Sequence, residues 1–252
     1  MPKHDAMPKH DAMPKHDAMP KHDAMPKHIG IAAVTSEGAA LCYRTICQEG
    51  EARSGYAHPE VTLHNFPLSD YMNAIEAEDW PTVGRLLLES AGKLARVGAA
   101  FAICPDNTAH QGLNLVRAQS PIPWLHIAEE IASLAAERGY RKVGLLGTRW
   151  LMQGPVYPTA LEARGIACEI PESEVREQIS ALIMDELVFG RFTASTREYF
   201  QQAIQVFERT GCEAVILGCT EIPLLIRAED SVLPILDSTR TLARAALREA
   251  AV

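Results

Sequence analysis

Short apolar runs alternate along this chain with longer segments of helical periodicity, and this alternation restricts the fold more than any other feature. The run at residues 214–217 is typical. It is rich in β-branched side chains, is far too short to cross a membrane, and ends at Gly218, which we expect to let the backbone turn tightly. Runs that are apolar on both faces are typical of parallel strands covered by helices. The sequence therefore predicts an α/β fold of mainly parallel sheets flanked by helices.

The predicted elements divide the chain into two similar lobes. The predicted strands lie at residues 29–34, 61–65, 99–103, 142–146, 166–170, 214–217 and 233–236. The predicted helices lie at residues 39–47, 80–97, 127–138, 157–164, 193–211 and 239–250. We place an N-terminal lobe at 25–125 and a C-terminal lobe at 126–230, and we expect a closing strand and helix at 231–252 to return to the first lobe. Two-lobed chains usually bind their ligand between the lobes, so we expect an active-site cleft there.

The first 24 residues repeat one hexamer, Met-Pro-Lys-His-Asp-Ala, four times. Periodic proline and charge leave this segment nothing to bury, so we expect residues 1–24 to be a disordered tail and the folded domain to begin near Met25. The repeats also hold four histidines, which makes weak metal binding an alternative. A solvated tail is the favoured interpretation.

Composition excludes several classes of partner. The net charge is −8 and no basic stripe is present, so we do not expect nucleic acid to bind. No run approaches the roughly 20 apolar residues of a membrane helix, and no signal peptide is visible, so we expect a cytoplasmic protein without membrane contact. The six cysteines lack paired metal-ligand spacing, so we expect free thiols and no metal site.

Polar and reactive side chains follow several of the predicted strands. Cys219, Thr220 and Glu221 follow the run at 214–217, and Thr148 follows the strand at 142–146. A third group follows the strand at 99–103 and consists of Cys104, Asp106, Asn107, Thr108 and His110. The carboxyl ends of strands in open α/β sheets are where ligands bind. Two such ends in two lobes predict a site that acts on a substrate from two sides.

Structural roles compete with this interpretation. Cys219 is also consistent with a buried thiol packed after a core strand. Asp106, Asn107 and Thr108 are good helix N-caps, and a single histidine such as His110 is more often packed or solvated than catalytic. No Gly-rich nucleotide-binding loop, metal-ligand spacing or recognisable Schiff-base lysine is present in the sequence. A thiol, hydroxyls and exposed backbone N–H groups at strand ends suit a cofactor-free reaction on a small carboxylate.

Four motifs in order resemble the aspartate/glutamate racemase family. They are Asn-Thr-Ala-His at 107–110, Leu-Leu-Gly-Thr at 145–148, Gly-Cys-Thr-Glu-Ile-Pro-Leu-Leu at 218–225, and Pro-Ile-Leu-Asp-Ser-Thr at 234–239. The resemblance covers residues 29 to about 250. It implies two α/β lobes, an active site between them, a homodimer, and exchange of the Cα proton of an amino acid by two opposed residues without a cofactor. It also implies that Asn107, Thr108, Thr148 and Thr220 hold the substrate's α-carboxylate and amino group.

The chain departs from the family pattern at several functional positions. Family members commonly carry a cysteine directly before the Asn-Thr pair, where this chain has Asp106, and Cys104 is a fallback two residues earlier. Of the family's N-terminal Gly-Gly-Met-Ser motif only Ser36 survives, as a further candidate substrate ligand. The Arg and Lys that hold a second carboxylate in dicarboxylate-specific members correspond to Tyr71 and Val188 here. This favours a substrate with a neutral or bulkier side chain, with Arg44 and Arg191 left as alternative cations for a second carboxylate.

The sequence therefore predicts an isomerase, a cofactor-independent amino-acid racemase or epimerase. Cys219 would serve one face of Cα and Asp106 the other, and burial can raise the pKa of a carboxyl group enough for that task. Two alternatives remain open. One is an enzyme with a single catalytic thiol, a decarboxylase or a cis–trans isomerase, and the other is an amino-acid-binding protein without catalysis.

Overall fold

The computed structural model describes residues 26–54 and 58–251, so the predicted tail at 1–24 lies outside the described residues. The described residues form two parallel four-stranded sheets, ordered β2-β1-β3-β4 and β6-β5-β7-β8. The strands are β1 Ile29–Ala33, β2 Val61–Asn65, β3 Phe101–Ile103, β4 Trp124–Leu125, β5 Lys142–Leu146, β6 Ala167–Glu169, β7 Ala214–Leu217 and β8 Ile235–Asp237. Helices flank both sheets, which confirms the predicted α/β fold with two lobes.

Eleven α-helices occur in the described part of the chain. They are α1 Ser36–Ser54, α2 Leu68–Glu76, α3 Trp80–Arg96, α4 His110–Val116, α5 Ile127–Glu137, α6 Arg149–Gln153, α7 Val156–Glu162, α8 Ser173–Asp185, α9 Ala194–Arg209, α10 Ile222–Leu225 and α11 Ser238–Ala250. The sequence interpretation did not predict the strand β4 or the helices α2, α4, α6, α8 and α10. It missed α8 because polar residues interrupt the apolar face of that segment, so its helical periodicity is weak.

The central strands are apolar throughout because they are buried on both faces. Every residue of β1 and of β7 is buried. In the first sheet β1 lies between β2 and β3, with Gly30 opposite Thr62 on one side and Ala102 on the other. In the second sheet β7 lies between β5 and β8. Strands sandwiched between helix layers lack the polar alternation of half-exposed strands, which is why the periodicity identified them.

The last helix lies against the first lobe. Leu242 and Ala246 of α11 pack in one apolar cluster with Ile29 of β1 and Ile46 of α1. The backbone N–H of Lys27 also donates to the carbonyl of Ala250 at 2.9 Å. Only the helix of the predicted closing segment 231–252 is positioned in this way, because β8 pairs with β7 and stays in the second sheet. This corrects the expectation that strand and helix return together.

Candidate active site

One cavity opens between the two lobes at the carboxyl ends of their central strands. Asp106, Asn107 and Thr108 reach it from the segment after β3, and Thr148 and Cys219 reach it from the segments after β5 and β7. The cavity and its mouth together enclose ≈ 530 Å³ of empty volume, open solvent included. Parallel strands end at one edge of their sheet, so the two edges face each other across this space.

The structure brings most of the predicted site residues to this cavity but leaves two outside it. Asp106, Asn107, Thr108, Thr148, Cys219 and Thr220 line the cavity. Ser36 does not, because it is the exposed first residue of α1, and the cavity is lined instead by Thr35 directly after β1. Cys104 is fully buried and is also absent from the cavity wall. The strand ends at Ile103, so Cys104 and Asp106 do not lie on one face of a continuing strand.

Cys219 is held by a neighbouring carboxylate. Its Sγ donates to Oε2 of Glu221 at 2.9 Å, and Thr220 Oγ1 donates to the same oxygen at 2.9 Å. Glu221 is 1% exposed, and its other oxygen, Oε1, is buried without a hydrogen-bond partner. Burial raises the pKa of the Cys219 thiol well above its usual value, and the negative charge of Glu221 raises it further. The resting thiol is therefore neutral and is already directed at a proton acceptor.

Glu221 is the principal site residue that the sequence interpretation did not single out. The available signal was a carboxylate two residues after a candidate catalytic thiol. Its burial in the structure is what identifies it as a site residue, because carboxylates are almost never fully buried without a partner or a function.

Asp106 combines a structural and a chemical role. Its Oδ1 accepts from the backbone N–H of Ala109 at 2.8 Å, so it caps the turn that leads into α4. Burial raises the pKa of its carboxyl group to about 6, Glu221 contributes in the same direction, and the N–H groups of Ala109 and Thr108 oppose both. Asp106 can therefore both cap this turn and take part in the chemistry of the site.

The two candidate groups rest in opposite protonation states at neutral pH. With a pKa of about 6, Asp106 is largely ionised at pH 7 to 8, whereas Cys219 carries its proton. One cavity thus holds a carboxylate able to accept a proton and a thiol able to donate one. Acid–base chemistry requires this pairing of an acid and a base.

Hydrogen bonds join the lobes around the cavity. The hydroxyls of Thr108 and Thr148 share one at 2.9 Å. Deeper in the protein, Tyr157 donates to Asn107 Oδ1 at 2.6 Å, and Asn107 Nδ2 donates to Ser238 Oγ at 3.0 Å. Asn107 therefore uses its carbonyl and one amide hydrogen to join the lobes. One amide hydrogen and the threonine hydroxyls are what these residues can offer to a ligand.

His110 hydrogen-bonds to the backbone of the segment that carries Asp106. Its Nδ1 donates to the carbonyl of Asp106 at 2.7 Å, and its Nε2 accepts from the backbone N–H of Ile127 at 3.3 Å. These partners require the neutral Nδ1–H tautomer. Burial lowers the pKa of His110 well below its usual value, and His126 lowers it further. A packed, uncharged histidine agrees with the structural interpretation drawn from the sequence.

Two glycines allow close packing at the site. A Cβ on Gly38 of α1 would lie 2.6 Å from Oγ1 of Thr220, so only glycine lets α1 approach the segment after β7 this closely. A Cβ on Gly218 would lie 2.7 Å from Cδ2 of Leu151. The φ angle of Gly218 is not positive, so this residue is required for close packing and not for the tight turn expected from the sequence.

The described residues carry neither a metal-binding group nor a membrane helix. They contain no group of three or more His, Cys, Asp and Glu side chains that could hold a metal ion. Across residues 26–54 and 58–251, no helix combines the length and the apolar character needed to cross a membrane.

Comparison with known proteins places this architecture in one family. The model of the Asp/Glu/hydantoin racemase family matches residues 31–246. RacX of Bacillus subtilis (strain 168), a broad specificity amino-acid racemase, is 23% identical over 187 residues, which cover 74% of this chain and 80% of RacX. The chain matches only 50% to 61% of the length of curated glutamate racemases from Limosilactobacillus reuteri and Thermus thermophilus.

Solved structures agree with this placement. The crystal structure of a candidate Asp/Glu racemase from Yersinia pestis superposes with a TM-score of 0.81 at 32% identity, covering 89% of this chain and 99% of that one. PH1733 from Pyrococcus horikoshii OT3, an aspartate racemase homologue, superposes with a TM-score of 0.77 at 29% identity, covering 90% and 100%. The match of sequence over 216 residues and of fold over both lobes leads to one conclusion: this chain belongs to the Asp/Glu/hydantoin racemase family.

Proposed function

We propose that the protein is a cofactor-independent amino-acid racemase or epimerase that exchanges the Cα proton by two-base chemistry, with Asp106 and Cys219 as the two bases. The observation that carries this proposal is the cavity between the lobes, to which the first lobe contributes Asp106 and the second contributes Cys219. The residues follow β3 in the first sheet and β7 in the second. In this proposal a substrate Cα between these strand ends would have Asp106 on one face and Cys219 on the other.

The resting protonation states give the reaction a direction. The Asp106 carboxylate removes the Cα proton from one face, and the Cys219 thiol supplies a proton to the opposite face. After that turnover Asp106 holds the proton and Cys219 is a thiolate, the state required for the other enantiomer. Solvent exchange returns the pair to its resting state. The free enzyme needs an ionised Asp106, so kcat/KM should rise as the pH increases through about 6.

Hydroxyls and one amide hydrogen would orient the substrate. In the substrate-free protein Thr108 bonds to Thr148, and Thr35 bonds to Thr220 at 3.4 Å. An α-carboxylate entering the cavity would replace these hydroxyl pairs with charge-assisted hydrogen bonds, which are stronger. The unpartnered Oε1 of Glu221 would accept from the substrate's ammonium group. We include Asn107 as a further ligand through its remaining amide hydrogen.

The test is Cα-proton exchange in D₂O, started separately from each enantiomer of a panel of amino acids and followed by NMR and chiral chromatography. The wild type should place deuterium in the enantiomer that is formed. Asp106→Asn and Cys219→Ser should each lose inversion by at least about 100-fold. Each should still exchange the one enantiomer that faces its remaining base.

The matched control is Cys168→Ser, which removes a thiol from β6 outside the cavity and should leave both rates unchanged. Inversion that survives in both site variants would exclude the two-base mechanism. A wild type that exchanges no amino acid would exclude racemisation altogether.

One observation supports a second candidate function. Cys104 is buried away from the cavity, so Cys219 is the one thiol on the cavity wall within the described residues. A single thiol suits a decarboxylase, in which Cys219 protonates an enediolate, or a cis–trans isomerase, in which it adds to a double bond. Turnover of a disubstituted malonate that depends on Cys219 but survives Asp106→Asn would favour this class. Tight amino-acid binding without turnover would favour a binding protein instead.

The resemblance also motivates a proposal about assembly. We propose a homodimer, which multi-angle light scattering would detect as twice the mass of one chain. A single-chain mass at micromolar concentration would contradict it.

A further inference from the structure

We propose that the side-chain subsite of this cavity accepts an apolar amino-acid side chain, such as that of leucine or methionine, and rejects a second carboxylate. This inference rests on the proposed amino-acid function. An apolar subsite does not suit aspartate or glutamate, because their side-chain carboxylates require a cation or several hydrogen-bond donors when removed from water. The structure supports it through the composition of one wall of the cavity and through the charges around it.

The wall is built from one helix of each lobe. From the first lobe α2 presents Leu68, Met72 and Ile75, which are spaced four and three residues apart and so share a helix face. From the second lobe come Ile183 and Met184 of α8 and Val188 just beyond it. All six side chains are apolar, and two are methionines, which adapt to ligands of different shape. A side chain that enters between α2 and α8 therefore meets only carbon and sulfur.

Trp150 completes this wall. Its ring lines the cavity and packs in the apolar cluster of the first lobe, although it belongs to α6 of the second lobe. The guanidinium of Arg149 lies over this ring at 4.5 Å and pairs with Glu177 at 3.8 Å. Arg149 lines a separate outer groove and not this cavity. This arginine is therefore already engaged elsewhere.

No cation lines the cavity within the part of the chain that the structure describes. Its ionisable lining residues are Asp106, Cys219 and Glu221, which carry negative charge when ionised. Tyr71 is buried in the core, and its neighbour Met72 lines the cavity wall instead. Val188 also lines this wall. An acidic side chain here would meet carboxylates without a compensating charge, whereas the α-ammonium group of any amino acid is attracted by them.

This arrangement predicts a definite specificity profile. Because one methylene in a fitted apolar pocket changes kcat/KM by about 10- to 200-fold, leucine and methionine should exceed alanine by at least about tenfold. Aspartate and glutamate should fall below leucine by on the order of 100-fold or more, because their second carboxylate loses water without gaining a partner. Uncharged hydantoins with the same side chains lack the ammonium group and should react more slowly than the free amino acids.

The experiment measures both exchange and binding. Deuterium exchange at Cα would be recorded for leucine, methionine, alanine, aspartate, glutamate and an isobutyl hydantoin. Calorimetric titration of the same compounds into Cys219→Ser would report binding without inversion. Val188→Lys introduces a cation at the wall, and it should lower leucine exchange and raise glutamate exchange, changing their ratio by at least about tenfold.

The matched control is Phe189→Lys, which adds the same charge one residue away at a side chain that is 71% exposed and outside the cavity. It should leave the leucine-to-glutamate ratio unchanged. Thermal unfolding of both variants would show whether each is folded, and the wild-type panel decides the question even if Val188→Lys does not fold.

The outcomes separate this inference from the proposed function. Faster exchange of aspartate or glutamate than of leucine overturns the apolar subsite while leaving the racemase proposal intact. Binding of leucine and methionine without exchange supports the subsite and overturns racemisation. Faster turnover of the hydantoin than of the amino acids overturns the choice of substrate. Neither binding nor exchange of any amino acid overturns both proposals.

Discussion

Asp106→Asn should stabilise the protein at high pH even though it removes a proposed catalytic group. Burial holds the pKa of the Asp106 carboxyl group at about 6, against an ordinary value of 3.8 that applies in the unfolded chain. The folded state therefore retains the proton more strongly than the unfolded state does. The stability that follows from this is complete below pH 3.8 and is lost as the pH rises through about 6. An asparagine at this position does not titrate.

The size of the effect follows from the two pKa values. Multiplying the interval from 3.8 to about 6 by about 1.4 kcal/mol per pH unit gives a total loss of roughly 3 kcal/mol in the wild type. About 1 kcal/mol of this is already lost at pH 4.5, by the same linkage relation. The free energy of unfolding of Asp106→Asn, relative to wild type, should therefore rise by about 2 kcal/mol between pH 4.5 and pH 8. Asparagine Oδ1 can still accept from Ala109, so the cap is retained.

Urea denaturation of both proteins at pH 4.5, 6 and 8 would measure this difference. Carboxyl groups that do not interact with Asp106 titrate alike in both proteins, so their contributions cancel. Asp70→Asn removes the same charge from an exposed position in α2 and serves as the charge-matched control. A difference in the free energy of unfolding between Asp106→Asn and wild type that stays constant from pH 4.5 to 8, or that shrinks, would refute the argument that burial raises the pKa of this carboxyl group.

Two further predictions concern the segment after β7. Glu221→Gln should lower the pKa of the Cys219 thiol, because the carboxylate charge raises it in the wild type. Peptide mass spectrometry after iodoacetamide treatment should then show alkylation of Cys219 at lower pH. An unchanged alkylation profile would contradict this prediction. Gly38→Ala should cost roughly 1–3 kcal/mol in urea denaturation, because its Cβ would press on Thr220. Gly92→Ala, in the open middle of α3, should instead stabilise by about 0.5–1 kcal/mol, and equal effects of the two substitutions would exclude the packing explanation.

The α/β fold could be predicted because it depends on local patterns. The strand β7 is apolar at every position, since helices cover both faces of its sheet, and such a run is recognisable without any knowledge of its neighbours. The ends of two helices could also be predicted from local sequence. Gly139 and Gly165 have φ angles of +76° and +69°, which glycine adopts more readily than other residues. The helix α8 escaped prediction because its burial depends on where neighbouring elements pack and only weakly on its own pattern.

The sequence by itself determined which chemical groups follow which strands, and therefore that Asp106 and Cys219 were the candidates to consider. Only the tertiary structure decided what surrounds them. The cavity wall combines α2 and α8, which are far apart in the chain, and the thiol–carboxylate contact of Cys219 and Glu221 depends on both being buried. Burial and contact between distant segments are properties of the packed chain, so the protonation of the two groups, the exclusion of Ser36 and the apolar subsite follow from the fold and not from local pattern.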